Sequence, residues 1–389
     1  MKNSILKMSA MFLMAMLTLN SCSSDDDNAP IVDDPVGFQF DPADFKGDIP
    51  TGEDVTLDAT KVYSLTGRVL ITEGSKLRIP AGTRIEGVGG TSAYIAVAQG
   101  GKIFVNGTAT QPVVMTSSMS NPQPGDWGGL VLCGKAPTNR GATAQAEVSD
   151  LTYGGNVLDD SSGVIKYLRI EYSGAAFNSE KEFNGLSLFG VGSGTTIDHV
   201  QIHNGADDGI EFYGGTVSAT NLVMTGNEDD QFDWVEGWSG QLNSNWYGKL
   251  GLGRGNRGIE ADNLGDNNAA TPISNPTIKN LTLIGLGDQG NEPQGIMVRV
   301  GTRGKIDNIV IDNWATGIEV RNDATLNGIP SQLMFTNVKF SNVTDKAKGR
   351  NDNGDSVDVS NAYTENENAT GAGNGTGIPS WAQGWTIGL

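Results

Sequence analysis

The segment Ile202-His-Asn-Gly-Ala-Asp-Asp-Gly-Ile-Glu-Phe212 is followed, 22 positions later, by Met224-Thr-Gly-Asn-Glu-Asp-Asp-Gln-Phe-Asp-Trp234. Each large apolar position and each acidic position of the first segment recurs in the second. A fixed period of this length, carried by short alternating strands and Gly/Asn turns, is typical of a β-solenoid. Weaker copies begin at Asn184, Gln294 and Thr316. The repeat therefore predicts the architecture of the protein.

Short segments that alternate apolar and polar residues continue along most of the chain, as in Leu77-Arg-Ile-Pro-Ala-Gly82. They predict an all-β fold, a single-stranded right-handed parallel β-helix over residues 51–345 with coils of about 22 residues and roughly a dozen coils. Residues 51–90 are expected to form the N-terminal cap and the first coils. Residues 346–389 are expected to form a polar C-terminal segment and cap, in which Trp381 and Trp385 close the last coil.

The N-terminus has the features of an export signal. Residues 1–21 combine two lysines with a short apolar run, which indicates a signal peptide. Leu19-Asn-Ser-Cys22 resembles the lipobox of bacterial lipoproteins, which implies that Cys22 is acylated and anchors the protein in the outer membrane. The acidic residues that follow resemble the surface-export signal of Bacteroidota lipoproteins; a solvated acidic tether is the alternative. Residues 22–50 are predicted to form a flexible, Pro-containing tether.

The composition excludes several classes of function. A net charge of −19 at pH 7 argues against nucleic-acid binding, which needs a basic surface. With only two histidines, a histidine-rich metal site or a Ser-His-Asp triad is not expected. Cys133 lies in an apolar run and is expected to be a buried core residue, and no intrachain disulfide can form once Cys22 is acylated.

The alternation of each repeated strand predicts which side chains face outward. Ile210 and Phe212 are expected to point into the core, as are Phe232 and Trp234 one coil later. Two outward columns follow if the coils stack in register. The first contains Ser187, Glu211, Asp233, Glu260, Met297 and Glu319, and the second contains Phe189, Tyr213, Val235, Asp262, Arg299 and Arg321. We expect Glu211, Tyr213, Asp233, Glu260 and Asp262 to contribute to a ligand-binding face.

Four aspartates occupy equivalent turns of two successive repeats. Asp207 is expected to stack on Asp229, and Asp208 on Asp230. Stacked carboxylates repel each other unless a donor, water or a cation intervenes, and calcium readily takes oxygen ligands in flexible arrangements. These four residues are candidate calcium ligands. The alternative is that they only shape the turns by accepting backbone hydrogen bonds.

The stretch after the repeat, residues 238–263, is longer than one coil and is expected to form a loop over the acidic face. It carries Trp238, Trp246, Arg254 and Arg257. Exposed aromatic rings next to charged groups suit the binding of sugars, so these residues are candidate glycan contacts. Packing of the same side chains against the flank of the solenoid is the alternative.

Gly125-Asp-Trp-Gly-Gly129 and the two repeated segments resemble a family of right-handed β-helix lipoproteins of Bacteroidota without an assigned activity. The same fold hosts pectate lyases and polygalacturonases. The resemblance implies a surface lipoprotein, and we expect a non-catalytic binding or accessory protein for a glycan or a neighbouring outer-membrane transporter. A calcium-dependent polysaccharide lyase or a glycoside hydrolase is one alternative. A structural or adhesive spacer is another.

Overall fold

The structure is a computed structural model, and it describes residues 37–178, 181–289 and 292–389. The signal peptide, Cys22 and the tether up to residue 36 lie outside the described residues. Within the described part of the chain, no helix has the length and apolar character needed to cross a membrane.

Strands account for nearly all the regular structure. The first nine strands are β1 (Phe45–Ile49), β2 (Asp54–Thr56), β3 (Val62–Ile71), β4 (Lys76–Pro80), β5 (Arg84–Gly87), β6 (Ile95–Val97), β7 (Lys102–Asn106), β8 (Val113–Ser117) and β9 (Leu130–Cys133). The next nine are β10 (Ala144–Gln145), β11 (Thr152–Tyr153), β12 (Gly163–Glu171), β13 (Leu186–Phe189), β14 (Thr196–His203), β15 (Ile210–Tyr213), β16 (Ala219–Thr225), β17 (Phe232–Val235) and β18 (Asn243–Lys249). The last nine are β19 (Ile259–Ala261), β20 (Thr277–Gly287), β21 (Gln294–Val298), β22 (Gly304–Trp314), β23 (Thr316–Arg321), β24 (Leu333–Ser341), β25 (Asp345–Arg350), β26 (Ser356–Val357) and β27 (Tyr363–Glu365).

Helical elements are short. They comprise one α-helical turn, α1 (Asp323–Leu326), and 3₁₀ turns at Pro42–Asp44, Ser360–Ala362 and Ser380–Ala382.

The strands stack as a right-handed parallel β-helix, as the sequence predicts. One stack contains β2, β4, β7, β12, β14, β16, β18, β20, β22 and β24. A second contains β6, β9, β13, β15, β17, β19, β21, β23 and β25. The third begins with the first half of β3, which pairs with β5, and it continues through β8 onto the second half of β12. From β12 onward the first and third stacks therefore share single, bent strands.

The bend in each long strand falls on a residue with a left-handed backbone. In β16, β18, β20, β22 and β24 this residue is an asparagine with φ between 55° and 62°: Asn221, Asn245, Asn280, Asn308 and Asn337. Asparagine tolerates this conformation better than other residues that carry a side chain. The amide of Asn245 donates to Oδ1 of Asn221 at 2.9 Å and that of Asn280 donates to Oδ1 of Asn245 at 2.9 Å. The bends thus form a hydrogen-bonded ladder across the coils.

The core runs through the middle of the coils and confirms the predicted inward positions. Ile210, Phe212, Phe232 and Trp234 are all buried in it. Cys133 is buried as well, as predicted.

The N-terminal boundary differs from the prediction. Strand β1 lies within residues 22–50, which we expected to form the tether, and it pairs with β3. Phe40 packs edge-on against Phe45 with ring centroids 4.7 Å apart, and Phe38 packs against Phe40. These apolar side chains give the segment from residue 37 onward a core contact that a tether lacks, so it covers the first coil.

The C-terminal boundary also differs, because β27 pairs with β24 beyond residue 345. The C-terminal tail (residues 366–389) does not close the last coil as predicted. It runs back along the flank of the solenoid, where Ala372 N donates to Oγ1 of Thr282 and Ile387 N donates to Oε1 of Gln201. Trp385 is buried there in one cluster with Val223 and Tyr247. The tail thus covers outward-facing side chains of the middle coils.

Candidate functional site

The predicted outer column exists in the predicted register. Ser187 pairs with Glu211, and Glu211 with Asp233. Asp233 pairs with Glu260, Glu260 with Met297, and Met297 with Glu319. Most of these outward-facing side chains are nevertheless buried. The carboxylates of this column therefore lie under covering segments and do not form an open face.

The second column is confirmed where Phe189 pairs with Tyr213 and Tyr213 with Val235. The rings of Phe189 and Tyr213 stack with their centroids 4.0 Å apart and their planes 15° from parallel. The Tyr213 hydroxyl donates to Glu147 and accepts from the amide of Asn184 at 3.2 Å. Tyr213 is thus held from several sides.

The four turn aspartates come together as predicted, and two of them support the turns. Asp208 Oδ1 accepts from the backbone N–H of Asp230 at 2.9 Å, and Asp230 Oδ1 accepts from the N–H of Arg257 at 2.7 Å. Asp229 accepts from the amide of Asn256. Asp208 and Asp230 thus each support a turn with one oxygen, while Asp207 and Asp229 line a surface cavity.

Trp238 and Trp246 were predicted to be exposed sugar contacts, and this prediction is wrong. Both are fully buried in the core. Trp246 belongs to β18, in which it pairs with Leu222 of the preceding coil, and the Trp238 ring stacks on Phe212 with centroids 4.0 Å apart. Much of residues 238–263 therefore completes a coil, and only the segment between β18 and β19 forms a loop over the carboxylates.

The two candidate arginines of that loop are held by ion pairs. Arg257 is buried and contacts Asp230 at 3.4 Å, Glu260 at 2.6 Å and also Glu292. It is therefore not free to contact a ligand. Arg254 is partly exposed and lies 3.5 Å from Glu228.

Glu260 and Asp262 share a second arginine. The guanidinium of Arg299 lies 2.5 Å from Glu260 and 2.8 Å from Asp262. Most of the charge of these two predicted ligand-binding residues is thus compensated within the protein.

The long segment between β9 and β12 supplies residues that the sequence analysis missed. Glu147 accepts from Tyr213, and Glu236 accepts from both Arg140 and Tyr153. Leu130 of β9 pairs directly with Leu186 of β13, so this coil is far longer than the 22-residue period. That excess length was the signal that could have identified the segment.

Two cavities open beside these residues. One has a volume of about 450 Å³ and is lined by Glu147, Lys181, Glu182, Ala206, Asp207, Glu228, Asp229 and Asn256. The other has a volume of about 290 Å³ and is lined by Arg140, Ala144, Gln145, Glu147, Tyr153, Lys181, Phe189, Tyr213 and Glu236. Because Glu147 and Lys181 belong to both walls, we treat the two cavities as one groove.

A family model described as a pectate-lyase-like β-helix domain matches residues 47–386. The chain belongs to this family. No curated protein matches it significantly.

Two solved structures are similar to this β-helix domain. One is the enzymatically active domain of tailspike protein 2 of bacteriophage CBA120, at 13% identity and a TM-score of 0.27, covering 77% of this chain and 42% of the tailspike. The other is the catalytic domain of a GH87 α-1,3-glucanase in complex with tetrasaccharides. It has 13% identity and a TM-score of 0.27, and the match covers 82% of this chain and 63% of the glucanase chain. The chain spans less than two thirds of either protein.

Burial and mutual repulsion change the acidity of the carboxyls in this β-helix domain. Burial, together with the charge of Asp229, raises the pKa of Asp207 to about 8. Burial raises the pKa of Glu147, although the hydrogen bond from Tyr213 opposes the shift. The pKa values of Asp208 and Asp233 are also well above the ordinary range, because both are buried among other carboxyls. Full ionisation of these carboxyls is therefore unfavourable unless a cation is present.

The acidic residues form three groups that could hold a metal ion. In each group, one oxygen of every carboxyl lies within 4.8 Å of the others. The groups are Asp207, Asp208 and Asp229; Asp208, Glu211 and Asp233; and Asp230, Asp233 and Glu260. Carboxylate oxygens are ligands that calcium and magnesium prefer.

Proposed function

We propose that the protein is a lipid-anchored cell-surface protein that binds a glycan in the groove without cleaving it. The observation that carries this proposal is the shape and chemistry of the groove. Its walls combine several carboxyls, the amides of Gln145 and Asn256, and the cationic side chains of Arg140 and Lys181. Such groups exchange hydrogen bonds with sugar hydroxyls.

The net charge of the groove restricts the ligand. Glu147, Glu182, Asp207, Glu228 and Asp229 outnumber the two cationic side chains in its walls. A neutral or amino-sugar glycan avoids repulsion from these carboxyls, whereas a polyuronide needs a bridging cation.

We further propose that calcium binds at the mouth of the groove, between Asp207 and Asp229. Neither carboxyl has an ion-pair partner within 4.0 Å among the described residues. Calcium in that position would lower the repulsion and offer open coordination sites to glycan hydroxyls.

The cellular location and the partners of the protein are part of the same proposal. Acylation of Cys22 would place the groove at the outer membrane, and the acidic residues after it favour the outer surface. There a glycan-binding protein would serve a neighbouring outer-membrane transporter by retaining its substrate close to the cell.

A panel of neutral, amino and uronic-acid glycans, titrated with calcium and with EDTA, tests the binding function. Lys181→Ala and Glu147→Gln each remove a charged hydrogen-bonding group, so affinity should fall about tenfold or more. Lys61→Ala is the control, because Lys61 is exposed and outside the groove. Absence of binding across the panel, or unchanged affinity in both groove variants, would refute the proposal and leave a structural spacer.

One observation favours glycoside hydrolysis as a second candidate function. The raised pKa of Asp207, about 8, keeps this carboxyl protonated at neutral pH, as a general acid requires, and Asp229 lies beside it. Their close approach, within 4.8 Å between oxygens, is shorter than the separation in inverting enzymes and nearer to the spacing of retaining enzymes. Release of reducing ends from any glycan of the panel, abolished in Asp207→Asn, would establish this activity.

A further inference from the structure

Beneath the groove lies a group of three carboxyls, Asp208, Glu211 and Asp233, which we name the buried triad. Their residues are only 6%, 9% and 7% exposed. One oxygen of each lies within 4.8 Å of the others. Glu211 and Asp233 are paired neighbours in adjacent coils, and Asp208 comes from the turn before Glu211.

The nearby arginines leave this triad uncompensated. Arg257 pairs with Asp230, Glu260 and Glu292, and Arg299 pairs with Glu260 and Asp262. Asp230 and Glu260 of the neighbouring acidic group are therefore already paired with a guanidinium. Among the described residues, no ion pair within 4.0 Å reaches Asp208, Glu211 or Asp233.

Unused oxygen atoms point to an additional partner. Asp233 Oδ1 is buried and has no hydrogen-bond donor within the described part of the chain. Asn184 donates from its amide nitrogen to Glu211 at 2.8 Å, yet its own buried Oδ1 also has no partner. A buried acceptor without a donor costs about 1–3 kcal/mol, more for a charged group. One of these two atoms belongs to the triad itself, and the other belongs to a buried side chain that contacts Glu211.

We propose that the buried triad holds one calcium ion as a permanent structural part of the β-helix. The ligands are oxygens of Asp208, Glu211 and Asp233, with the amide oxygen of Asn184 as a fourth candidate. Calcium is favoured over magnesium because it accepts irregular and bidentate carboxylate coordination, whereas magnesium demands near-ideal octahedral geometry. This ion is distinct from the one proposed in the groove, and its role does not depend on glycan binding.

The first test measures the metal content and the thermal stability of the purified protein. One equivalent of calcium should survive dialysis without chelator. Extraction with EDTA should lower Tm by about 5 °C or more, and added calcium should restore it. A protein without retained metal, whose Tm is the same in calcium and in EDTA, would overturn the proposal and identify the triad as protonated.

The second test separates the two cation sites. Asp233→Asn removes a ligand of the buried triad and leaves Asp207 and Asp229 of the groove in place, so it should abolish the calcium-dependent part of Tm and the retained equivalent. Asp229→Asn removes a groove ligand only and should keep both. Glu211→Gln provides a second triad variant if Asp233→Asn does not fold. A calcium response of Tm that survives in the triad variant and disappears in Asp229→Asn would refute the buried site. Glycan affinity is measured separately in the same variants, because the buried site does not depend on it.

Discussion

Single residues at the strand bends explain how the coils of this solenoid stay in register. Asn245 has a φ of 60°, and its side chain both donates to Asn221 and accepts from Asn280. The same residue therefore satisfies the backbone geometry of one coil and the hydrogen bonding of its two neighbours. Few side chains combine these properties, because most L-residues avoid left-handed backbone.

Replacing Asn245 should separate the two contributions. Asn245→Ala loses two side-chain hydrogen bonds and places alanine in a left-handed conformation, so the free energy of unfolding should fall by about 2–4 kcal/mol. Asn245→Gly tolerates the backbone and should lose about 1 kcal/mol less. Chemical denaturation measures both values. Equal losses in the two variants would show that the backbone conformation carries no cost.

The raised pKa of Asp207 predicts the pH dependence of the metal-free protein. With a folded pKa of about 8 and an ordinary value of 3.8, the folded state holds a proton that the unfolded state has lost. Stability should therefore fall as pH rises between these values. Denaturation in EDTA from pH 6.5 to 8 should show this fall, and Asp207→Asn should reduce its slope. A rise of stability over the same range would contradict the assignment.

At the residue scale, the sequence predicted which way a side chain points better than it predicted how exposed that side chain is. The alternation of β15 and β17 correctly assigned Phe212 and Trp234 to the core and Glu211 and Asp233 to the outer column. It could not show that the outer carboxyls are buried. Their cover comes from segments with no repeat, such as the loop that carries Arg257. Charge compensation by such loops depends on distant contacts that a periodic pattern does not contain.

Among the elements, the C-terminal tail explains why several outward-facing side chains of the long strands are apolar. Val223 and Tyr247 lie on the outer side of β16 and β18, and the tail covers both. Gly388 permits a close contact, because a Cβ there would lie 2.2 Å from the ring of His203. The tail thus turns a flank of the solenoid into a small second core.

Trp385 is the main anchor of this element. Truncation of a buried tryptophan typically costs about 3–5 kcal/mol, and Trp385→Ala should detach the tail at a similar cost. Hydrogen exchange should then accelerate in residues 370–387, while β20, β22 and β24 remain protected. Leu242→Ala is the control, because Leu242 is 80% exposed. Acceleration spread through all coils would mean that the tail and the solenoid form one cooperative unit.

Element boundaries were predictable only where the repeat continues. The sequence predicted the repeated strands β13, β15, β17, β21 and β23, but it misplaced both ends and the coil that contains β18. From the sequence alone, Phe38 and Phe40 were assigned to the tether and Trp385 to the end cap. Their packing positions depend on apolar surfaces that exist only once the coils have assembled.

For the whole molecule, the proposed anchor gives a direct prediction. Cys22→Ala removes the acceptor for the lipid chains, so the protein should leave the membrane fraction or remain unprocessed. Fractionation and the mass of the N-terminal peptide measure this outcome. Protease treatment of intact cells should degrade the wild-type protein, and complete protection would place it on the inner side of the outer membrane.

The tail that lies along the middle coils also makes the last step of folding a long-range one. Gln201 and Ile387 exchange two hydrogen bonds although 186 positions separate them. The coils can therefore stack before the tail docks, and Val223 and Tyr247 stay uncovered until the tail reaches them. A molecule whose tail is undocked has a full set of coils and an exposed apolar flank to which other molecules can adhere. Docking of the tail thus protects the assembled coils from association with their neighbours.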